Sequence, residues 1–320
     1  MFFSIFFLLI GLAILLFGGE VFVRGSASFA RRLRVPPLVI GLTIVAFGTS
    51  APELIVNIFA ALRGASDIAM GNILGSNIVN ILFILGIAAV VRPLSVKENT
   101  TWKEIPLGIL SVVVLFLLGN DVMFGNNGAD VLTRADGLIL ISFFIIFLYY
   151  TYGLSKVEGE KQDLATYSTR RSVAYIIGGV IALALGGKFM VDGAVALARM
   201  AGVSELLIGL TITAVGTSLP ELVTSVIAAY RGHVAIAVGN VVGSNIFNIL
   251  WILGITPVIA PIALPESINV DLAMAFIASM LLFLVMFVGG KKHRHVLRRS
   301  EGIFFVLCYI AYIMFVVFRG

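Results

Sequence analysis

The sequence is poor in cysteine, histidine and charge, and each scarcity excludes a class of protein. Its one cysteine, Cys308, cannot form a disulfide within the chain, and its three histidines lie between apolar runs. A thiolate or imidazole metal centre is therefore not expected. Charged residues make up 12% of the 320 positions and hydrophobic residues 60%, which excludes an ordinary soluble domain. The net charge of +5 is small and lies in loops, so no nucleic-acid surface is predicted.

Long apolar runs separated by short charged segments predict an all-α protein that crosses a membrane many times. About 20 residues cross the hydrocarbon as a helix. The first run lacks a basic start and a cleavage site, so we predict a membrane span there rather than a signal peptide. On this basis we predict ten transmembrane helices, at residues 2–23, 36–62, 68–91, 105–120, 131–153, 172–194, 204–230, 236–260, 270–289 and 301–318.

The loop charges predict how these spans are oriented. Loops after odd-numbered spans contain 17 lysines and arginines, and the opposite side contains 4, with Lys188 inside a span. Positive charge is retained in the cytoplasm. We therefore expect a multi-pass protein of the cell (inner) membrane, with both termini on the outer side.

Residues 41–86 and 209–254 are two copies of one segment, 168 positions apart and without a gap. The first opens GLTIVAFGTSAPEL and continues to GNILGSNIVNILFILG, and the second opens GLTITAVGTSLPEL and continues to GNVVGSNIFNILWILG. The copies predict two halves, 1–153 and 172–320, joined by a cytoplasmic linker at 154–171. Five spans is an odd number, so the second half would enter the membrane inverted, as in secondary transporters.

Each copy places one glutamate, Glu53 or Glu221, inside an apolar run. An acid at membrane depth is expensive, and it is a functional-site hypothesis by default. Proline one residue earlier removes an amide donor and should kink the helix, which would free backbone carbonyls at 46–48 and 214–216. Threonine lies four residues before each glutamate, on the same helical face.

The next span in each copy adds a second polar face. The spacing of four residues aligns Asn72, Ser76 and Asn80 in the first copy and Asn240, Ser244 and Asn248 in the second. Every polar atom in these faces that could bind a metal is an oxygen, which suits calcium or sodium and not zinc or copper. Two ionised glutamates would be neutralised by one calcium ion or by several sodium ions. An empty site would retain buried charge, which favours obligatory exchange.

GTSxPE together with GNxxGSNxxN, present twice, resembles the repeats of the cation/calcium exchanger superfamily, and the sodium/calcium exchanger branch found in prokaryotes is the most similar. The resemblance implies a core of spans two, three, seven and eight, against which the glycine-rich spans one and six slide. It also implies the ligands. Calcium would bind Glu53, Glu221, Thr49, Thr217 and the carbonyls of Ala46 and Ala214; sodium would use the glutamates, Ser50, Ser218, Ser76 and Ser244, with Asn80 and Asn248 at the middle of the site.

One position differs among the members of that superfamily. Potassium-requiring members, and some others, have an aspartate where this chain has Asn248, so the asparagine argues against potassium transport. The function predicted is therefore calcium/sodium antiport, with no enzymatic activity, no cofactor, and no partner other than the ions and membrane lipid. Proton/calcium antiport remains the alternative within carriers, and a gated cation channel the alternative outside them.

Overall fold

The computed structural model describes residues 2–125, 129–156, 167–202, 214–264, 268–288 and 295–319, and their regular secondary structure is helical apart from four two-residue strands. The helices are α1 Phe2–Leu33, α2 Pro37–Thr49, α3 Ala51–Leu62, α4 Ser66–Val91, α5 Glu98–Leu118, α6 Arg134–Ser155, α7 Thr169–Met200, α8 Ala214–Thr217, α9 Leu219–Tyr230, α10 Val234–Ile259, α11 Ile268–Val285 and α12 Arg299–Arg319.

Eight of these helices are long and apolar enough to cross a membrane, namely α1, α4, α5, α6, α7, α10, α11 and α12. Helices α2 and α3 form a bent pair that makes a ninth candidate. Helix α9 is apolar but has only 12 residues. The predicted span at 204–230 is described only from residue 214, because 203–213 lie outside the described residues. The protein is therefore a multi-pass, all-helical membrane protein.

Helices α1 and α7, each of 32 residues, continue well beyond the spans predicted at 2–23 and 172–194. In α1 the prediction stopped where arginines and serines replace apolar residues. Those residues still support a helix, because hydropathy and helix propensity are separate properties. The two helices lie side by side with their backbones close, since a Cβ at Gly186 would be 2.6 Å from the backbone nitrogen of Leu15.

A helix break lies at the predicted place in both copies, and in the first copy it is a kink. Helix α2 ends at Thr49 and α3 begins at Ala51, with a bend of 46° at Ser50. In the second copy α8 ends at Thr217 and α9 begins at Leu219. In each copy the proline is the second residue of the new helix, where a missing amide hydrogen costs nothing.

Four short strands, which the sequence analysis missed, connect the two predicted halves. Strand β1 (Leu94–Ser95) pairs with β4 (Val296–Leu297), and β2 (Val131–Leu132) pairs with β3 (Ile262–Ala263), both antiparallel. The sequence signal was a second similarity, VLTRADG at 131–137 and VLRRSEG at 296–302.

The helices that follow β2 and β4 also cross between the halves. Helix α6 packs on α10, and α12 packs on α4. Glycine permits both contacts: a Cβ at Gly137 would be 2.5 Å from the carbonyl oxygen of Gly254, and one at Gly302 would be 2.6 Å from that of Gly86. The last helix of each half therefore packs on the other half's motif helix.

Candidate functional site

Helices α4 and α10 form the centre of the molecule. In their most apolar 18-residue windows 78% and 94% of residues are buried, whereas none of the other six long helices exceeds 39%. Each helix widens into a π-helical segment, Val79–Leu85 in α4 and Phe247–Ile252 in α10. These segments contain Asn80 and Asn248, the third residue of each polar face. Such widenings are frequent at functional sites.

The two glutamates lie in this centre, each only 1% exposed. Ser50 donates a hydrogen bond to Glu221 Oε1 at 3.0 Å, and Ser218 donates to Glu53 Oε1 at 3.4 Å. Each carboxylate is therefore held by a serine of the other copy. The second oxygen of each, Oε2, accepts no hydrogen bond from the described residues.

The threonines that precede the glutamates connect each broken helix to the neighbouring helix of the other copy. Thr49 Oγ1 lies 3.1 Å from Asn240 Oδ1, and Thr217 Oγ1 lies 3.3 Å from Asn72 Oδ1. Thr49 is fully buried and Thr217 is half-buried. These contacts repeat the crosswise pattern of the serines.

The serines of α4 and α10 are both buried, but their partners differ. Ser76 Oγ lies 3.2 Å from Ser218 Oγ, and because the single hydroxyl hydrogen of Ser218 is donated to Glu53, Ser76 is the donor of this hydrogen bond. Ser244 Oγ, at the equivalent position, has no hydrogen-bond partner within the described part of the chain. One more unpaired buried oxygen is therefore present on the side of the second copy.

Four asparagines join α4 to α10. Asn77 Nδ2 donates to the Asn245 backbone carbonyl, and Asn245 Nδ2 donates to the Asn77 carbonyl, both at 3.2 Å. Asn80 Nδ2 donates to Asn245 Oδ1, and Asn248 Nδ2 donates to Asn77 Oδ1, both at 2.9 Å. The sequence analysis missed Asn77 and Asn245, although both stand in the repeated GSN of the motif.

The backbone carbonyl of Ala46 differs from what the sequence predicted. It accepts the amide of Ser50 at 2.9 Å and lies 3.3 Å from the Thr49 hydroxyl, so the prediction of a free carbonyl there is wrong for this conformation. The reason is that α2 keeps its hydrogen bonds up to the break, which falls at Ser50. At Ala214 the chain is helical, and its side chain lies outside the described residues.

The close packing expected from the glycine pairs is visible in the second copy. A Cβ at Gly239 would be 3.0 Å from Gly41 Cα, and one at Gly243 would be 2.8 Å from Ala46 Cβ. Helix α10 is thereby pressed against α2, as small residues allow in membranes. Gly71 and Gly75 have no such neighbour within 4 Å in the described ranges, and the equivalent of Gly41, Gly209, lies outside them.

These groups together present several buried oxygens that lack a hydrogen-bond donor among the described residues: Glu53 Oε2, Glu221 Oε2, Asn80 Oδ1, Asn248 Oδ1 and Ser244 Oγ. A buried polar atom without a partner costs about 1–3 kcal/mol, and more if it is charged. Carboxylate, amide and hydroxyl oxygens are the ligands of hard cations. No cluster of three or more His, Cys, Asp or Glu side chains occurs in the described ranges.

The fold and the sequence match known exchangers over nearly the whole chain. The family described as sodium/calcium exchanger protein matches residues 3–153 and 171–318. The inner membrane protein YrbG of Escherichia coli is 36% identical over 79% of both chains, and the sodium/calcium exchanger MaX1 of Methanosarcina acetivorans is 30% identical over 96% of both. A solved structure of the sodium-calcium exchanger NCX_Mj, soaked with sodium and without calcium, covers 98% of both chains at 34% identity, with a TM-score of 0.83.

Calcium and sodium are the ions of this family, and its members are transporters. The repeated motifs, the buried pair of carboxylates and the match over both halves all agree with that assignment. The chain belongs to the sodium/calcium exchanger protein family and is an antiporter of the cation/calcium exchanger kind.

Proposed function

We propose that this protein exchanges calcium for sodium across the cell membrane by alternating access, and that both ions use the site between the two motif copies. The observation that carries the proposal is the crosswise pairing of Ser50 with Glu221 and of Ser218 with Glu53. This pairing holds two buried carboxylates in one site while an oxygen of each stays without a donor among the described residues.

In this proposal Glu53 and Glu221 are the principal ligands of both cargoes. Calcium also binds Thr49, Thr217 and the carbonyls of residues 46 and 214, and the Ala46 carbonyl exchanges its present hydrogen bonds for the ion. Sodium ions bind the four serines at 50, 76, 218 and 244. Asn80 and Asn248 contribute neutral amide oxygens at the centre. The total charge of −2 is then balanced by one calcium ion or by a group of sodium ions.

The same proposal includes ten transmembrane helices in two inverted halves, with α8 and α9 forming part of the span described only from residue 214. Helix α6 of the first half packs on α10 of the second, and α12 of the second half packs on α4 of the first. This reciprocal packing supports two halves with the same internal arrangement. The excess of arginine and lysine in one set of loops favours a cytoplasmic location for that set and an outer location for both termini.

Alternating access is proposed to result from sliding of α1 and α7 as a pair over the core. The pair is tightly packed internally, backbone against backbone. Its side toward the core carries Phe22, which lies beside Gly48 of α2. A glycine at that contact presents no side chain that would resist sliding.

The test is calcium uptake by proteoliposomes that contain the purified protein and are loaded with sodium. We expect uptake when sodium is diluted outside, and we expect it to cease when sodium is equal on both sides. Uptake driven by an outward proton gradient without sodium would show the proton/calcium alternative instead. Calcium flux without any counter-ion gradient, at channel rates, would contradict a carrier.

A further inference from the structure

We propose that Asn77 and Asn245 are positioning residues, which hold the amides of Asn248 and Asn80 so that their carbonyl oxygens stay available to the ion. The inference rests on the proposed function, which uses Asn80 and Asn248 as ligands. It goes beyond that function by assigning a role to two residues that touch no cargo.

The orientation of Asn77 is set by the backbone of the opposite helix. Its Nδ2 lies 3.2 Å from the carbonyl oxygen of Asn245, and a carbonyl can only accept a hydrogen bond. Rotation of the amide by half a turn would place oxygen against oxygen. Its Oδ1 must therefore point the other way, toward Asn248. The same argument orients Asn245, whose Nδ2 lies 3.2 Å from the Asn77 carbonyl.

Asn77 and Asn245 in turn orient the side-chain amides of the proposed ligands Asn248 and Asn80. Asn77 Oδ1 can only accept, so the amide nitrogen of Asn248 faces it at 2.9 Å. The Oδ1 of Asn248 is then left without a donor among the described residues, although the side chain is only 1% exposed. Asn245 acts in the same way on Asn80, which is also 1% exposed and also retains a free Oδ1.

The consequence is a site whose neutral ligands cannot turn their nitrogen toward a cation. An amide without such a partner could present NH2, which would repel the ion, and binding would have to reorient it. Residues that orient metal ligands typically contribute 10–100-fold to metal affinity. Each of the two arms, Asn77 with Asn248 and Asn245 with Asn80, should contribute separately, because the hydrogen bonds of one do not include the side-chain amide oxygen of the other.

The experiment measures calcium binding to the purified full-length protein in detergent by isothermal titration calorimetry. We expect Asn77→Ala to weaken calcium binding about tenfold in the parent protein, and to have little further effect when Asn248→Ala is already present. Asn245→Ala is the matched control. Its effect should persist beside Asn248→Ala and should disappear beside Asn80→Ala. The inference would be overturned if Asn77→Ala weakened calcium binding equally in the parent and in the Asn248→Ala variant. It would also be overturned if Asn77→Ala left the calcium affinity unchanged.

A conservative variant separates orientation from packing. Asn77→Asp preserves the shape and the acceptor that faces Asn248, and it places a carboxyl oxygen where the NH2 faces the Asn245 carbonyl, so that oxygen must carry a proton. It should bind calcium more tightly than Asn77→Ala, whereas an equal loss in Asn77→Asp and Asn77→Ala would contradict the positioning role. Melting curves without ions show which variants are folded. A parent that binds no calcium would contradict the proposed function itself, and an active parent with an unaffected Asn77→Ala would contradict this inference alone.

Discussion

The interior and the periphery of this molecule differ in how well the two halves of the chain match. In the interior, serine–glutamate and asparagine–asparagine contacts occur twice, once in each direction. At the periphery Glu20 of α1 bonds Arg24 and also reaches Arg231, 2.7 Å away beyond the end of α9.

The equivalent positions on the other side carry the opposite charges. Lys188 of α7 stands where α1 has Glu20 and pairs with Asp192 at 2.7 Å, and Arg63 stands where the second copy has Arg231. A lysine there cannot attract that arginine. The residues proposed to contact the ions are therefore matched between the two halves. The residues that join α1 and α7 to the core differ between the halves, and in the proposed sliding mechanism they would favour one of the two states.

The largest expected effect comes from neutralising one carboxylate of the interior pair. Glu53→Gln or Glu221→Gln should reduce sodium-driven calcium uptake by about 100-fold or more. Each variant removes one of the two carboxylates that balance the charge of the buried calcium ion, and loss of one member of a buried pair of opposite charges costs about 3–5 kcal/mol. The measurement is the initial rate of uptake into proteoliposomes. Either variant retaining a substantial rate would show that two glutamates do not form the site.

Glu104→Gln is the matched control for that experiment. Glu104 is a third fully buried glutamate, on α5, and it accepts a hydrogen bond from Tyr150 rather than from a motif residue. Glutamine can accept the same bond, so uptake should stay close to that of the parent. A loss as large as that of Glu53→Gln would mean that burial of any acid, not the motif pair, determines transport.

Removal of Ser50 or of Ser218 tests whether the two copies contribute equally to calcium binding. Ser50→Ala and Ser218→Ala each remove a hydrogen bond to a carboxylate, worth about 1.5–3 kcal/mol, so each should weaken calcium affinity by about tenfold or more. The Ser50 bond is the shorter, at 3.0 Å against 3.4 Å. Ser50→Ala should therefore weaken calcium affinity more than Ser218→Ala when calcium is titrated calorimetrically into each variant. A larger effect of Ser218→Ala would show that the lengths of these two hydrogen bonds do not determine the affinity.

Asn248→Asp makes the interior unsymmetrical. The new acid would lie in a site that already holds two carboxylates, and it would face Asn77 Oδ1, an acceptor. It should therefore take up a proton or recruit another cation. We expect transport to become sensitive to pH or to potassium, whereas the parent ignores potassium.

The measurement is uptake across a pH series with and without potassium, and Asn80→Asp serves as the matched variant in the other copy. A parent that already needs potassium would contradict the branch assignment. An Asn248→Asp variant identical to the parent would show that residue 248 does not face the ions.

The smallest effect is expected at the periphery. Glu20→Gln removes an ion pair in which Glu20 is 23% and Arg231 44% exposed, and such pairs contribute about 0–1 kcal/mol. Calcium uptake should change by only a few-fold, and less at high salt, where surface charges are screened. Lys188→Gln should change it still less, because Lys188 and Asp192 are both more than half exposed. A larger effect of Lys188→Gln would reverse the proposed asymmetry.

How much of the molecule the sequence predicted depended on the kind of signal. Glu53 and Glu221 could be recognised because an acid in an apolar run is costly, and the kink because proline lacks an amide hydrogen. The roles of Asn77 and Asn245 could not, since an amide shows its partner only when helices distant in sequence pack together. Strands β1–β4 are too short to have a periodicity, and the extension of α1 lies where hydropathy falls but helix propensity does not.

The central claim is that calcium and sodium compete for one site built on Glu53 and Glu221. Calorimetric titration of calcium into the purified protein at increasing sodium tests it most directly. We expect one calcium ion per chain, with an affinity that falls steadily as sodium rises and with no detectable binding in Glu221→Gln. Calcium binding that is unchanged by sodium, or that survives in Glu221→Gln, would contradict it.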